Sequence, residues 1–266
     1  MKPRRNRYDM YKKYHDTRYP KTDSGFSHFE YLLPKFVEWE NLFYGYNNIR
    51  KYFEKFFGLV DSINLKNTSQ KEKLEQIHNQ IVKQASPARF YTKLSDTLEG
   101  KKIDCSNYVF LFGAILEATD LELYKKLLVI ERFGKSDHMY ISICGNTYDY
   151  GGINVTEDAY KDADNSFYAE RKYHFFEAMW LNAKEKSALI FLMGHKYKNA
   201  FACLNEALKK DPNSPLILHN LAYAFFKMER YNDALELVNR RLEITPHDTK
   251  SLILKKHILT RLKKEN

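Results

Sequence analysis

HKYKNAFACLNEALKKDP (residues 195–212) and ERYNDALELVNRRLEITP (residues 229–246) are one pattern written twice, 34 residues apart. Tyr197 and Tyr231, Ala200 and Ala234, Leu208 and Leu242, and Pro212 and Pro246 all keep that interval. Within each copy the apolar residues recur at three- and four-residue spacing, which is the signature of a helix with one buried stripe. The small side chains of Ala200 and Ala234 let a neighbouring helix approach closely, and a proline just past the stripe stops each helix. Placing Pro246 at the end of a second helix puts Leu218, Leu221, Ala222 and Phe225 on the buried face of a first. The preceding copy keeps Ala188, Phe191, Ala200, Leu204 and Ala207, but carries Lys184 and Ser187 where large apolar residues are usual.

A helical hairpin repeating every 34 residues resembles the tetratricopeptide repeat. The resemblance covers two units, about 181–214 and 215–248, followed by a basic capping helix over 249–265. It implies an all-α module that binds a protein partner. Stacked repeats need about three units to bury a continuous core, so two units and a cap are expected to lean on the chain that precedes them.

Upstream, Phe29 to Val60 carries apolar residues at helical spacing. Ser69 to Glu72 reads as a capping box that opens a helix with Leu74, Ile77, Ile81 and Val82 on one face. Both are read as core helices without chemistry. The stretch GKKIDCSNYVFLFGAILEATD (100–120) differs, because Asp104 is a good N-cap that places Cys105 in the first turn of an apolar helix. The partial positive charge at a helix N-terminus stabilises a thiolate. A strand is expected at 127–132. DHMYISICGNTYDYGG (137–152) then alternates as a hairpin that turns near Gly145-Asn146 and pairs Cys144 with Thr147. In that register Asp149 lies opposite Ser142 and on the same face as His138. A cysteine at a helix start, a histidine opening a strand and a carboxylate on the next strand are what a thiolate nucleophile, its base and the base's orienter require. A free cysteine at a helix start also serves as a small buried apolar residue, and His138 and Asp149 also suit a strand end and a turn flank.

Asp104-Cys105, His138-Met139-Tyr140-Ile141 and Tyr148-Asp149 together resemble the transglutaminase-like (papain-like cysteine protease) superfamily over residues 95–155. That resemblance implies an α+β fold with helices packed on a small antiparallel sheet, here followed by the all-α tetratricopeptide module. It also implies roles: Cys105 attacks an amide carbonyl of a protein or peptide substrate and forms a thioester, His138 transfers the proton, and Asp149 orients the imidazole. The enzyme would be a cysteine hydrolase or acyltransferase that needs no cofactor. The alternative is a catalytically inactive scaffold with the same architecture.

The expected division is 1–28 for a basic aromatic arm, 29–178 for the transglutaminase-like domain and 179–266 for the repeats and cap. With 44% hydrophobic and 15% aromatic residues, the 266-residue chain has ample material for a core, and a disordered protein is excluded. The net charge of +9 sits at the ends: residues 1–21 hold eight basic and two acidic side chains, and residues 249–266 hold six and one. Basic residues interleaved with Tyr8, Tyr11, Tyr14 and Tyr19 could bind single-stranded nucleic acid, although no nucleic-acid motif accompanies them. Cys105, Cys144 and Cys203 form no CxxC pair, and the histidines show no metal-ligand spacing, so neither a disulfide framework nor a metal site is expected. With no secretory leader and no apolar run of membrane-spanning length, a reducing, cytoplasmic setting is the expectation.

Overall fold

A computed structural model of the chain describes residues 49–63, 68–88, 94–133, 138–154 and 169–265. The expected arm, and the expected helix from Phe29 as far as residue 48, lie outside the described residues. The chain divides into two compact units that interleave in sequence: 49–127 with 142–153, and 128–141 with 154–265.

In the first unit, α1 (Ile49–Asp61) and α2 (Gln70–Gln84) lead to the two-residue strand β1 (Ser86–Pro87). The capping box on α2 is present: the Glu72 N–H donates to Ser69 Oγ, and Glu72 Oε2 accepts from the Ser69 N–H at 2.8 Å. Short helix α3 (Leu94–Leu98) is followed by β2 (Lys102–Ile103), which runs parallel to β1 with Ser86 against Lys102 and Pro87 against Ile103. Gly100 makes the turn between them at φ +77, and a Cβ there would meet the Gln84 carbonyl oxygen at 2.9 Å, so only glycine fits.

α4 (Cys105–Thr119) is the centre of this unit. Every residue from Ser106 to Glu117 is buried, so the helix has no solvent face, which accounts for its apolar character on all sides. Tyr108, Val109, Phe110, Phe112, Ile115 and Leu116 are completely enclosed, and each contributes about 1.5–3 kcal/mol of burial free energy. Asp120 closes α4, caps α5 (Leu121–Lys125) and pairs with Lys73 of α2 at 2.5 Å.

In the second unit β3 (Leu128–Phe133) pairs antiparallel with β7 (Ala169–His174), from Leu128 against His174 to Phe133 against Ala169. Arg132 and Glu170, opposite each other, form an ion pair at 2.9 Å. On its other side β3 neighbours β4 (His138–Ile143), whose first four residues belong to this unit and whose last two belong to the first. In the first unit β4 ends at Ile143 and β5 (Asn146–Asp149) begins three residues on. β5 pairs in turn with β6 (Gly152–Ile153), Tyr148 against Ile153 and Asp149 against Gly152.

The hairpin turn corrects the sequence expectation. Cys144 and Gly145, not Gly145 and Asn146, form the two-residue connection, with φ of 50° and 78°. Two consecutive positive φ values are the type I′ geometry whose twist matches the flanking strands. The closing pair is then Ile143 with Asn146, which sets Ser142 against Thr147, so Asp149 does not face Ser142. Gly-Asn and Cys-Gly both satisfy a glycine-centred turn signal, and the choice fell to the strands' own packing.

The second unit continues as five helices: α6 (Phe175–Met193), α7 (Tyr197–Lys210), α8 (Pro215–Lys227), α9 (Tyr231–Ile244) and α10 (Thr249–Glu265). The 34-residue period of the sequence is a period of structure. Helices α7 and α9 start and stop 34 residues apart, as do the starts of α8 and α10 and the ends of α6 and α8. The turn residues His195 (φ 57°) and Glu229 (φ 62°) are both left-handed and keep the same interval. Ala200, Ala207, Ala222 and Ala234 are fully enclosed between helices, as the close-approach reading requires. Pro212 and Pro246 each stand two residues past the last residue of their helix. The module leans on β7: Arg171 donates to Asp211 Oδ1 at 2.7 Å and Tyr173 O–H to Asp211 Oδ2 at 2.6 Å. Among the described residues no helix is long and apolar enough to cross a membrane.

Candidate functional site

Cys105 is positioned by a buried polar network rather than by apolar packing. Its predecessor Asp104 is the N-cap of α4, and one carboxylate oxygen accepts from the Asn107 N–H and from the Ser106 hydroxyl, both at 2.7 Å. The Asn107 side-chain amide donates to Thr97 Oγ1 at 3.1 Å, and the Thr97 hydroxyl donates to the Lys102 carbonyl at 2.8 Å. Asp104, Ser106, Asn107 and Thr97 are all buried. This chain of bonds ties α3, β2 and the first turn of α4 together and leaves Cys105 half-buried at the helix N-terminus.

Asp149, the last residue of β5, is 2% exposed. It shares a neighbourhood with Cys105, and Tyr150 reports it. Burial raises the Tyr150 pKa, and its electrostatic interactions with Asp149, Cys105 and Asp104 raise it further, so its phenol stays protonated. His138 opens β4 half-buried and belongs to the second unit. Of the three residues singled out in sequence, Cys105 and Asp149 therefore lie in one unit and His138 in the other.

Two groups in this neighbourhood escaped the sequence reading. His78, on α2, is buried, and its Nδ1 lies 2.8 Å from the Tyr108 hydroxyl of α4. Burial holds its pKa below the ordinary histidine value, against the opposing pull of the Asp149 carboxylate. Its ring meets Tyr108 edge-on and Tyr148 at a tilt, with centroids 5.9 and 6.2 Å away. The signal was available: Leu74, Ile77, His78 and Ile81 fall at i, i+3, i+4 and i+7, so the histidine occupies a place in an apolar stripe. Tyr150 carried no signal beyond adjacency to Asp149. Among the described residues no cluster of His, Cys, Asp and Glu could hold a metal ion.

The second candidate is the helical module itself, whose polar contacts fix how its helices stack. Asn220 of α8 donates to Glu185 of α6 at 3.0 Å in a buried setting. Arg241 of α9 and Asp248 form an ion pair at 2.8 Å, 2% and 4% exposed. The same guanidinium donates to the Pro215 carbonyl at 2.5 Å. Asp248 also accepts from the Ser251 N–H at 3.1 Å, capping α10, and Ser251 Oγ lies 2.8 Å from His219 Nδ1. Lys250, Lys256, Arg261, Lys263 and Lys264 of α10 are exposed.

Comparison with known proteins bears on this module. The family model for "Anaphase-promoting complex, cyclosome, subunit 3" matches residues 193–266, well under half of the chain. A TPR repeat-containing protein of Methanocaldococcus jannaschii is 42% identical over 50 residues, which is 19% of this chain. The match spans 9% of that relative's length. Both likenesses support tetratricopeptide-like repeats, and neither supports a transglutaminase-like domain.

Proposed function

We propose that the chain is a protein-binding scaffold whose docking part is the helical repeat module from α6 to α10. One observation carries this reading. The 34-residue period is kept in helix starts, helix ends and turn conformation through 193–265, and repeats of this kind present extended surfaces to other proteins. The matching family is named for a subunit of a multiprotein complex, which agrees with a docking role. The test is hydrogen exchange on the full chain, alone and with a partner recovered on the immobilised protein. Protection concentrated in 175–265 supports the reading. Protection confined to 49–127 and 142–153 rejects it.

A second reading keeps the expected cysteine chemistry, with Cys105 as nucleophile acting on a protein or peptide amide and His138 and Asp149 in the base and orienting roles. Its support is the capped helix start that holds Cys105 half-buried, and the common influence of Cys105 and Asp149 on Tyr150. Iodoacetamide at pH 7 should then label Cys105 faster than Cys144 and Cys203, and His138→Ala should slow that labelling. Equal, slow labelling of all three, unaffected by His138→Ala, sinks it.

A further inference from the structure

The last helix of the module carries an uncovered stripe with a composition of its own. On α10, Ser251, Leu254 and Ile258 are buried, and the helix packs against α9 and α8. Leu252 and Leu259 stand 34 residues after Leu218 and Phe225. In the preceding unit Leu218 and Phe225 are 0% and 8% exposed, their helix packs against both α7 and α9, and the Phe225 ring lies 5.4 Å from that of Phe201 on α7. On α10 the corresponding leucines are 46% and 39% exposed. The residues between do not repeat either: Lys255 and Lys256 replace Leu221 and Ala222. Leu252, Lys256, Leu259 and Lys263 therefore fall at i, i+4, i+7 and i+11, a single stripe in which leucine and lysine alternate.

We propose that this stripe docks an amphipathic helix of a partner protein that carries leucine-like residues at the matching three- and four-residue spacing, flanked by glutamate or aspartate. The proposal rests on the scaffold reading above and names the chemistry of its partner. The leucines supply the apolar seam that a packed helix pair needs. The charge selects the partner: residues 249–266 hold six basic side chains against one acidic, so an acidic helix is attracted and a second copy of α10 is repelled. A nucleic acid would meet the lysines but leave Leu252 and Leu259 in water.

The experiment uses the full chain and a fluorescein-labelled helical peptide with leucines at alternating three- and four-residue spacing among glutamates. The same peptide with lysine for glutamate and an oligo-dT strand are the comparisons. Anisotropy titrations should give the acidic peptide at least about tenfold tighter binding than its lysine analogue, weakening with salt. Leu252→Glu with Leu259→Glu should abolish the tenfold preference. Lys256→Glu with Lys263→Glu should transfer it to the lysine peptide. All four positions lie on the surface, and unchanged far-UV circular dichroism confirms that the variants are folded. Equal binding of the two peptides overturns the proposal. So does binding indifferent to the leucine variants, oligo-dT binding as tight as that of the acidic peptide, or a dimer that the leucine variants dissolve. Partner protection over 175–227 without any peptide effect would reject the α10 stripe and leave the module's docking role standing. Absence of protection throughout 175–265 would reject that role itself.

Discussion

His219 should make the repeat module acid-sensitive. The ring sits on α8 with Nδ1 2.8 Å from Ser251 Oγ. Burial first, then the Arg241 guanidinium and more weakly Lys250, push its pKa down to about 4, with the Asp248 carboxylate opposing. Unfolded, the imidazole returns to about 6.5. Between those values the unfolded chain binds more protons than the folded one, so the stabilisation is complete above pH 6.5 and is lost as the pH falls toward 4. At pH 4.5 the unfolded histidine is almost fully protonated and the folded one only about a quarter, which costs about 2.5 kcal/mol relative to pH 7.5. The assay is hydrogen exchange of amides in 215–265 at both pH values, corrected for intrinsic rates. It reports opening of this module rather than of the first unit. In His219→Gln the pH-dependent loss should shrink by about 2.5 kcal/mol. Profiles that stay parallel to within about 0.5 kcal/mol would refute the argument, because the proton uptake would then belong to another group.

Asp248→Ala should destabilise the module by about 3–5 kcal/mol, since it strands a 2% exposed Arg241 without its carboxylate. Urea unfolding of the variant should show it, and Arg241→Met combined with Asp248→Leu should cost far less. Asp104→Ala removes the cap of α4 and leaves the Asn107 N–H and Ser106 hydroxyl without their acceptor. A loss of about 2–3 kcal/mol in thermal or urea unfolding is expected. Glu229→Gly relieves a left-handed residue at φ 62° and should stabilise the helical module by about 0.5–1 kcal/mol, read as a raised urea midpoint.

The parts legible in sequence were those where a local rule and the tertiary structure agree. The 34-residue period made the repeated helices of the C-terminal region legible, because the same alanines and prolines are both helix signals and packing requirements. The Ser69 capping box and the Asp104 cap were equally local, and both are formed. Reading failed where two local answers were equally good. Cys144-Gly145 and Gly145-Asn146 are both acceptable turns, and only the strands' burial chooses between them. His78 was passed over because a polar residue in an apolar stripe looks like an interruption until its partner, Tyr108, is known from 30 residues away. The Arg241–Asp248 pair was hidden for a related reason. One repeat earlier the corresponding residues are Ala207 and Ser214, so the period itself argued for a small residue where a buried cation stands.

That substitution couples the two proposals made for this end of the molecule. An alanine at 241 would let α9 and α10 close by contact alone. A guanidinium must instead be satisfied, and it reaches both the Pro215 carbonyl at the start of α8 and the Asp248 carboxylate at the start of α10. The seat of α10 is therefore set by directional bonds, and Ser251 brings His219 into the same network. Burial works against ionisation of Asp248, but its bonds to Ser251 and Arg241 prevail and keep its pKa below the ordinary carboxylate value, so it remains an anion while His219 titrates. Protonating His219 adds a second cation beside Arg241 and weakens the hold on α10. Binding of the glutamate peptide should then fall more steeply in the native protein than in His219→Gln as the pH drops from about 5 to 4, the peptide's own protonation being common to both. An affinity that declines identically in both proteins would show that the stripe on α10 keeps its place independently of the network beneath it.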